Sequence, residues 1–413
     1  MKLRDTLFLV TLIVILAAAS KSGVAQTRVV RADRYPGADL GAKINAADRD
    51  LGAAAGEIQT SGGGRISTQI VISANHTLRL AAGTYVSATS TPPILLKSGA
   101  KVIGASWDTI IVEPTAPKQF TVIGAFSHLQ RNGAADADIS VKDIQIKGAN
   151  PGFDSVQQAI SLGNCSRCTV DHVWINATRS IGIQLGGSSA DGHWAEDSKV
   201  VNCQFTQVAS QNLALVNGRN ILFENNRFIT SGQPGGPGSS NIDVEPNSAT
   251  DYAENVRILN NLIDMRDATV QTSGNGILVQ SGSGTAHVGP VLIEGNTIFG
   301  GRNTGVVTNI LSNAIYCFGP TMKNVTIRNN RVTRTGQSGL RIEGTGFVVT
   351  NNHFIDVGGG GIPGFYVAVS NSQIVGNSFT YTGNGPADGS VQMVGNGRGN
   401  TIRDNPGMGF PAR

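Results

Sequence analysis

Two acidic residues stand one residue apart in a segment that alternates polar and apolar side chains. The segment reads NIDVE over residues 241–245. In an extended strand Asp243 and Glu245 project from the same face, about 6–7 Å apart. Carboxyl groups about 5–9 Å apart can act as acid and base in glycoside hydrolysis, and several carboxylate oxygens can bind Ca²⁺. The segment therefore predicts an acid–base pair or a calcium site, and a solvated strand face with incidental charges stays open as the alternative.

Similar alternating segments carry residues that could complete such a site. Arg341 and Glu343 belong to GLRIE, and Tyr316 belongs to AIYCF together with Phe318. The guanidinium of Arg341 could hold a carboxylate through two parallel hydrogen bonds. The two aromatic rings offer flat apolar faces on which sugar rings could rest. We predict Arg341 as a catalytic charge partner and the other three as substrate-binding residues, with Gln184 of GIQLG as a further one.

A long polar loop precedes this part of the chain. It reads GGSSADGHWAED over residues 186–197 and contains His193 and Trp194. Loops on a rigid scaffold are where binding residues usually lie, and a histidine can transfer a proton near neutral pH. We therefore include both residues among the predicted substrate-binding side chains, while an ordinary surface role for His193 stays open.

The four cysteines point to structure rather than to metal chemistry. Cys165 and Cys168 form a C-x-x-C motif, but a second such motif is absent from the sequence, which disfavours a zinc site with four thiolates. Cys317 falls at an inward position of its segment, as a small core residue. We predict at most one disulfide, between Cys165 and Cys168.

An internal repeat supplies the elements that must position these residues. Nine segments align without gaps, and each has an apolar residue at its third and eighth place. Six of them have asparagine at the sixth place, at intervals of 35, 35, 34, 22 and 25 residues. These six residues are Asn226, Asn261, Asn296, Asn330, Asn352 and Asn377. The recurrence predicts stacked copies of one supersecondary unit.

A second alternating strand recurs between the copies, as in AISLG, GIQLG, NIDVE and GLRIE. Glycine and asparagine interrupt the chain about every ten residues, which argues against helices. Many short strands with one cross-section predict an all-β solenoid: a single-stranded right-handed parallel β-helix. The Asn column then has a structural role, because asparagine tolerates a left-handed corner and its amide can bond its stacked neighbours.

The N-terminal region differs from the rest. Residues 1–25 are typical of a secretory signal peptide, with basic residues at the start and an apolar run of 13 residues at 7–19. An uncleaved anchor stays open as the alternative. Residues 26–65 form an N-terminal segment, in which Leu40, Ile44, Ala47 and Leu51 predict one face of a helix that caps the solenoid. The β-helix domain is assigned to residues 66–413.

Composition narrows the function classes. A hydrophobic fraction of 40% without long charged runs argues against disorder, and the 53 glycines keep no three-residue period that would indicate collagen. The formal charge of +4 over 413 residues gives no support to nucleic-acid binding. After the predicted signal, no segment resembles a membrane span, so we expect a secreted protein, extracellular or periplasmic. The sequence sets no oligomeric state.

Two strings resemble the opening of pectate-lyase-superfamily β-helix proteins: LRLAAGTYVS (78–87) and PILLKSGAKVIGASWDTII (93–111). The resemblance extends from about residue 38 to 405 and implies the β-helix fold. It also implies a protein that acts on polysaccharides, since that superfamily includes lyases, hydrolases, epimerases and non-catalytic fibres. The motifs expected of polygalacturonases are missing, and Asp243-Val244-Glu245-Pro246 lacks the histidine of the Asp-Pro-His-Asp string found in alginate epimerases.

These observations predict a secreted carbohydrate-active β-helix protein that acts on an extended polysaccharide, uronate-containing chains included, by lyase or hydrolase chemistry. The alternative is a non-catalytic glycan-binding or adhesion module on the same coil. No cofactor is required by these patterns, and Ca²⁺ at Asp243 and Glu245 is the one ion that they suggest.

Overall fold

The computed structural model describes residues 27–113, 121–148, 158–229, 240–266, 274–282, 285–300, 312–359, 361–383, 387–395 and 397–410. The predicted signal peptide lies outside these ranges. Within them, no helix is both long enough and apolar enough to cross a membrane.

The single α-helix among the described residues covers the N-terminal end of the strands. It runs over Leu40–Leu51, and Ile44, Ala47 and Leu51 of the predicted face are buried. Asp39 caps it by accepting a hydrogen bond from the backbone N–H of Ala42 at 2.9 Å. Because the same side chain also accepts the backbone N–H groups of residues 67 and 68, the cap fastens the helix to the coil beneath it. Three short 3₁₀ helices cover Ala32–Arg34, Phe126–Leu129 and Ser189–Asp191.

Three sheets run the length of the molecule, and all of their strand pairs are parallel. The first sheet already begins before residue 66, because Arg28–Arg31 pairs with Gly56–Gln59. Its strands are Arg28–Arg31, Gly56–Gln59, His76–Leu80, Lys101–Gly104, Asp136–Ala137, Ser140–Lys142, Cys165–Ser166, Thr169–Asp171, Ala195–Glu196, Lys199–Val201, Gly218–Glu224, Tyr252–Leu259, His287–Val288, Val291–Glu294, Val325–Arg328, Val348–Thr350, Gln373–Val375 and Thr401–Arg403.

The other two sheets have twelve strands each. The second sheet consists of Gly64–Ile66, Gly83–Ser87, Thr109–Val112, Gln145–Lys147, Trp174–Asn176, Gln204–Thr206, Arg227–Ile229, Leu262–Asp264, Thr297–Phe299, Arg331–Thr333, His353–Ile355 and Ser378–Thr380. The third sheet consists of Ile70–Ile72, Ile94–Leu96, Ile123–Ala125, Gln158–Leu162, Ile181–Leu185, Leu213–Leu215, Ile242–Val244, Ile277–Gln280, Ile315–Phe318, Leu340–Thr345, Phe365–Ser370 and Val391–Met393.

Each repeated eight-residue segment is a corner rather than one strand. The segment 256–263, for example, contributes the end of Tyr252–Leu259 to the first sheet and most of Leu262–Asp264 to the second. In one straight strand the third and eighth residues would point to opposite faces, because side chains alternate. The corner turns both inward, so that Ile258 and Ile263 are fully buried. The core is a stack of such aliphatic and aromatic residues between the three sheets.

The asparagine ladder is confirmed. The backbone N–H and the Nδ2 of Asn226 both donate to Oδ1 of Asn261, at 2.9 and 3.1 Å. The same double contact continues, coil by coil, to Asn405. Stacked amides therefore satisfy backbone groups at every copy of this corner.

The prediction that the ladder asparagines themselves adopt the left-handed backbone conformation was wrong. The residue before each of them adopts it instead. Positive φ angles occur at the fifth place of the repeat, such as 56° at Asn225 and 55° at Asn260, and not at the ladder residues that follow. Asparagine, aspartate and glycine occupy the fifth place in all of the repeated segments except 168–175, where His172 has the same conformation, because these residue types tolerate it best. The sixth place keeps asparagine because its amide faces the coil interior and bonds the next coil.

The predicted disulfide between Cys165 and Cys168 is present. Cys203 and Cys317 are free thiols and are buried. The backbone N–H of Cys203 donates to Oδ1 of Asn226 at 3.0 Å, so Cys203 occupies the ladder position of its own coil.

Candidate functional site

The outer face of the third sheet holds the predicted acidic pair. In strand Ile242–Val244 the two flanking residues are fully buried in the core, so alternation places the Asp243 side chain on the outer face. Its neighbours on the adjacent strands are Ala214 and Leu278. Asp243 is nevertheless only 2% exposed. The carboxyl group therefore lies on the predicted face but is withdrawn from bulk water.

The two carboxyl groups are in direct contact. The side chain of Asp243 is hydrogen bonded to Glu245 and to Gln211, and Glu245 is also hydrogen bonded to Gln280. This contact is closer than strand spacing alone predicted, because the two side chains lean toward each other. Oδ1 of Asp243 has no hydrogen-bond partner among the described residues. One carboxyl oxygen in the pair is therefore left to accept from, or donate to, a ligand.

Burial and mutual repulsion raise the pKa values of this pair. Burial is the main cause that raises the pKa of Asp243 well above its ordinary value, and the charge of Glu245 raises it further. Burial also raises the pKa of Glu245, against the hydrogen bonds from Asp243 and Gln280 that lower it. Two like charges in contact cannot both ionise easily, so the pair binds its first proton above the ordinary carboxylate range, chiefly at Asp243.

A pH dependence of stability follows from the raised pKa values. The folded protein binds more protons than the unfolded chain from about pH 4, where free carboxyls titrate, up to the raised pKa of the pair. The stability that the pair contributes is therefore fully present below about pH 4 and is lost as the pH rises through the raised pKa.

We expect the unfolding free energy of the wild type to fall relative to that of Asp243→Asn as the pH rises from about 4 through the raised pKa of the pair, because the amide does not titrate. Urea unfolding of both proteins across this range measures the difference. A difference that stays constant with pH would contradict the assigned protonation.

An aromatic and cationic stack lies further along the same face. Tyr316, Arg341 and Tyr366 are direct partners on successive strands. The guanidinium of Arg341 lies 4.6 Å from the ring centroid of each tyrosine. Phe318 stacks on Tyr316, with 4.5 Å between the ring centroids. Leu278 and Tyr316 are the strand partners that lie between Asp243 and Arg341. Three rungs of about 4.8 Å therefore separate the backbones of Asp243 and Arg341.

The side chain of Glu343 forms an ion pair with Arg341 and is therefore not free to bind a ligand. Nε and Nη2 of Arg341 donate to Oε1 of Glu343 at 3.2 and 3.1 Å. Both side chains are about one-third exposed, at 36% and 30%. The Arg341 guanidinium is thus held by two tyrosine rings and one carboxylate on the outer face of the third sheet.

Three residues of this face were missed by sequence reasoning. Tyr366 was missed because a gapless comparison of the alternating segments GLRIE (339–343) and YVAVS (366–370) sets Ala368 beside Arg341, whereas the structure pairs Tyr366 with Arg341. Gln280 ends the alternating segment GILVQ (276–280) but was not chosen, and Gln211 precedes its strand and gave no signal. A slip of two residues preserves which side chains face outward, so alternation alone could not detect it.

The remaining predicted binding residues divide into two groups. Gln184 lies on the outer face, where Gln158 donates to its Oε1 at 3.2 Å. His193 is 6% exposed, and its Nε2 contacts the carbonyl oxygen of Gln130 at 3.0 Å. Trp194, next to it, is half-buried. Gln184 therefore lies on the same outer face as Asp243, two strands away. His193 belongs to the packing of its loop.

The suggested calcium site has a limited set of oxygen ligands. Asp243 and Glu245 supply two carboxyl groups, whereas Gln211 and Gln280 donate amide N–H groups to them, as the lowering effect of these bonds on the two pKa values shows. The described residues contain no group of three or more His, Cys, Asp or Glu side chains that could hold a metal ion. Ca²⁺ takes six to eight oxygens, so it would need further carbonyl, water or ligand oxygens here.

Known proteins resemble this chain in fold. Residues 132–317 match the family model described as right handed beta helix region. No curated protein is similar enough in sequence to count as a relative. The A-module of a mannuronan C-5 epimerase from Azotobacter vinelandii is 16% identical with a TM-score of 0.62, over 91% of this chain and 93% of that chain.

Two further solved structures are similar. An exopolygalacturonase from Thermotoga maritima is 11% identical with a TM-score of 0.57, over 89% of this chain and 91% of that one. A tailspike protein of E. coli bacteriophage HK620, solved with a pentasaccharide, is 14% identical with a TM-score of 0.59, over 89% of this chain and 68% of that one. At such identities the likeness concerns the fold. The expected architecture is thereby confirmed: the protein is a right-handed parallel β-helix.

Proposed function

We propose that the protein is a carbohydrate-active β-helix that binds an extended polysaccharide along the outer face of the third sheet. The observation that carries the proposal is the buried Asp243–Glu245 pair, in which burial and repulsion raise the pKa of Asp243 and one oxygen of Asp243 has no partner among the described residues. The similar structures support a glycan ligand, since they include a mannuronan epimerase, an exopolygalacturonase and a pentasaccharide-bound tailspike.

In this proposal the pair performs acid–base chemistry on the sugar chain. Asp243, as the protonated member, donates a proton to the leaving oxygen, and Glu245 accepts one from water or from the sugar. Gln211 and Gln280 orient the two carboxyl groups. Arg341, stacked between two tyrosines, positions the chain three rungs away. Lyase and hydrolase chemistry both use such a pair, and they differ in whether the proton acceptor acts on carbon or on water.

A polysaccharide panel tests the proposal. Purified protein would be incubated with acidic and neutral polysaccharides, with and without Ca²⁺, while unsaturated ends and reducing ends are measured. Release of unsaturated ends would assign a lyase, and release of reducing ends alone would assign a hydrolase. No product from any polysaccharide would contradict an enzymatic role.

The second candidate function is a non-catalytic glycan-binding module. The observation that favours it is the 2% exposure of Asp243, which a substrate could reach only if neighbouring groups moved. Such a module would bind a polysaccharide of the panel and release nothing from it. The two candidates are therefore separated by measuring binding and product formation on the same samples.

We also propose that the protein is exported. The N-terminal sequence motivates this, and the disulfide between Cys165 and Cys168 supports an oxidising compartment. N-terminal sequencing of the protein recovered outside the cytoplasm should begin at Gln26. Recovery of the intact chain from the cytoplasm alone would contradict export.

A further inference from the structure

The outer face of the third sheet is poor in cations near the acidic pair. Counting the strands of this sheet and the residue that follows each of them, the described part of the chain carries five charged side chains: Lys97, Asp243, Glu245, Arg341 and Glu343. Lys97 follows strand Ile94–Leu96, five rungs of about 4.8 Å from Asp243. Arg341 and Glu343 lie nearer, three rungs away on the other side of Asp243. The described part of this face from Asp243 to Glu343 therefore contains three acids and one base.

The one cation that the described strands of this sheet place near the pair is already neutralised. Arg341 donates twice to Oε1 of Glu343, and its two planar faces are covered by Tyr316 and Tyr366. Arg179, in the turn before strand Ile181–Leu185, is only 5% exposed and thus is not presented to a ligand on the surface. A carboxylate on a bound sugar would therefore have to displace Glu343 from Arg341 or lie unpaired near two acidic groups.

The other side chains of this face match uncharged sugars. Tyr316 already packs against Phe318 and Arg341, so the ring surface that suits the apolar face of a pyranose ring is offered chiefly by the half-buried Phe318. Gln184 and Gln280 are neutral amides that can donate to and accept from hydroxyl groups. Like charges brought together at a binding face disfavour the wrong partner. The charge of this face thus discriminates between acidic and uncharged polysaccharides, both of which the proposed function allows.

We propose that this site selects an uncharged polysaccharide and discriminates against polyuronates, because Glu343 occupies the guanidinium that a uronate would need. The proposal rests on the proposed function and names its substrate class. It assigns to Glu343 a role in specificity: the residue excludes acidic chains by pairing with Arg341.

The test compares each acidic polysaccharide with its carboxyl-reduced form, which keeps the backbone and linkages but removes the charge. Binding of the full chain would be measured by affinity electrophoresis and calorimetry at low and at high salt, without Ca²⁺. We expect the carboxyl-reduced or natively neutral form of at least one backbone to bind on the order of tenfold more tightly than its acidic form, with the difference shrinking as salt rises.

Glu343→Gln supplies a second arm. Freeing the Arg341 fork should raise the affinity for the acidic form by about tenfold and leave the neutral form within about twofold. The matched control is Glu294→Gln, which breaks a similar pair with Arg328 at 2.9 Å on the first sheet and should change neither affinity.

The outcomes separate the inference from the proposed function. Tighter binding of the acidic forms by the wild type would overturn the inference and leave the proposed function standing. If Glu343→Gln does not raise the affinity for acidic polysaccharides, the role in specificity assigned to Glu343 is wrong. Failure to bind any acidic, reduced or neutral polysaccharide would overturn the proposed function and the inference with it.

Discussion

Replacing Asp243 with asparagine is expected to abolish product release from the polysaccharide that the wild type degrades. The amide keeps the shape of the side chain but cannot donate a proton to a leaving oxygen. Positioned acid–base groups contribute about 10²–10⁴-fold to rate, so we expect kcat to fall by roughly 10³ while KM changes little. Initial rates measured across substrate concentrations give both parameters.

The same variant should be at least as stable as the wild type at neutral pH. Asp243 is buried beside a second carboxyl group and has one unpartnered oxygen, which is a strained arrangement for a folded protein. Loss of activity together with retained or increased stability would therefore identify a functional group, since such sites often trade stability for function.

A carboxylate on another face provides the control. Asp264 lies on the second sheet and pairs with Arg266, so Asp264→Asn makes the same chemical change away from the third sheet. We expect its activity to stay within about twofold of the wild type. Full activity in Asp243→Asn, or an equal loss in Asp264→Asn, would rule out the assigned role of the pair.

Replacing Asn261 with alanine is expected to destabilise the coil by several kcal/mol. Its Oδ1 accepts from the backbone N–H and from Nδ2 of Asn226, and its Nδ2 donates to the carbonyl oxygen of Phe223 and to Asn296, at 2.9–3.1 Å. Alanine removes four hydrogen bonds and leaves buried partners unsatisfied. Each such orphan costs about 1–3 kcal/mol, so the loss should be roughly 3–6 kcal/mol.

Thermal and urea unfolding measure this effect, and Asn176→Ala is its control. Asn176 is half-buried and accepts one hydrogen bond, from Thr206 at 3.0 Å. Its replacement should cost only about 1 kcal/mol. Because each coil contacts only its neighbours, a break at Asn261 should also make unfolding less cooperative. Equal unfolding midpoints for Asn261→Ala and the wild type would show that the ladder does not hold the coils together.

The repeat could be read from the sequence because it consists of short local patterns. Apolar third and eighth places and an amide at the sixth recur in consecutive coils, and each copy obeys the same steric rules. Alignment of the copies therefore predicts that Asn226 and Asn261 are vertical neighbours, as their hydrogen bond shows. The division of each eight-residue segment into two strands was not predicted. In the sequence the corner is marked only by the five-residue spacing between the apolar third and eighth places.

The candidate site depended on information that alternation does not carry. Sequence placed Asp243 and Glu245 on one outer face, but burial and the contacts with Gln211 and Gln280 come from chain segments one coil away on either side. The pairing of Arg341 with Glu343 depended on rotamers within one strand.

The sequence by itself thus determined the coil, its inward columns and its amide ladder, because these follow from local backbone preferences repeated at each turn. Only the tertiary structure decided the register of Tyr366 and the raised pKa values of the acidic pair. A two-residue shift leaves every side chain on its own face, so cross-coil packing had to choose between registers. A pKa likewise depends on burial and on neighbouring charges, which distant parts of the chain create when they stack.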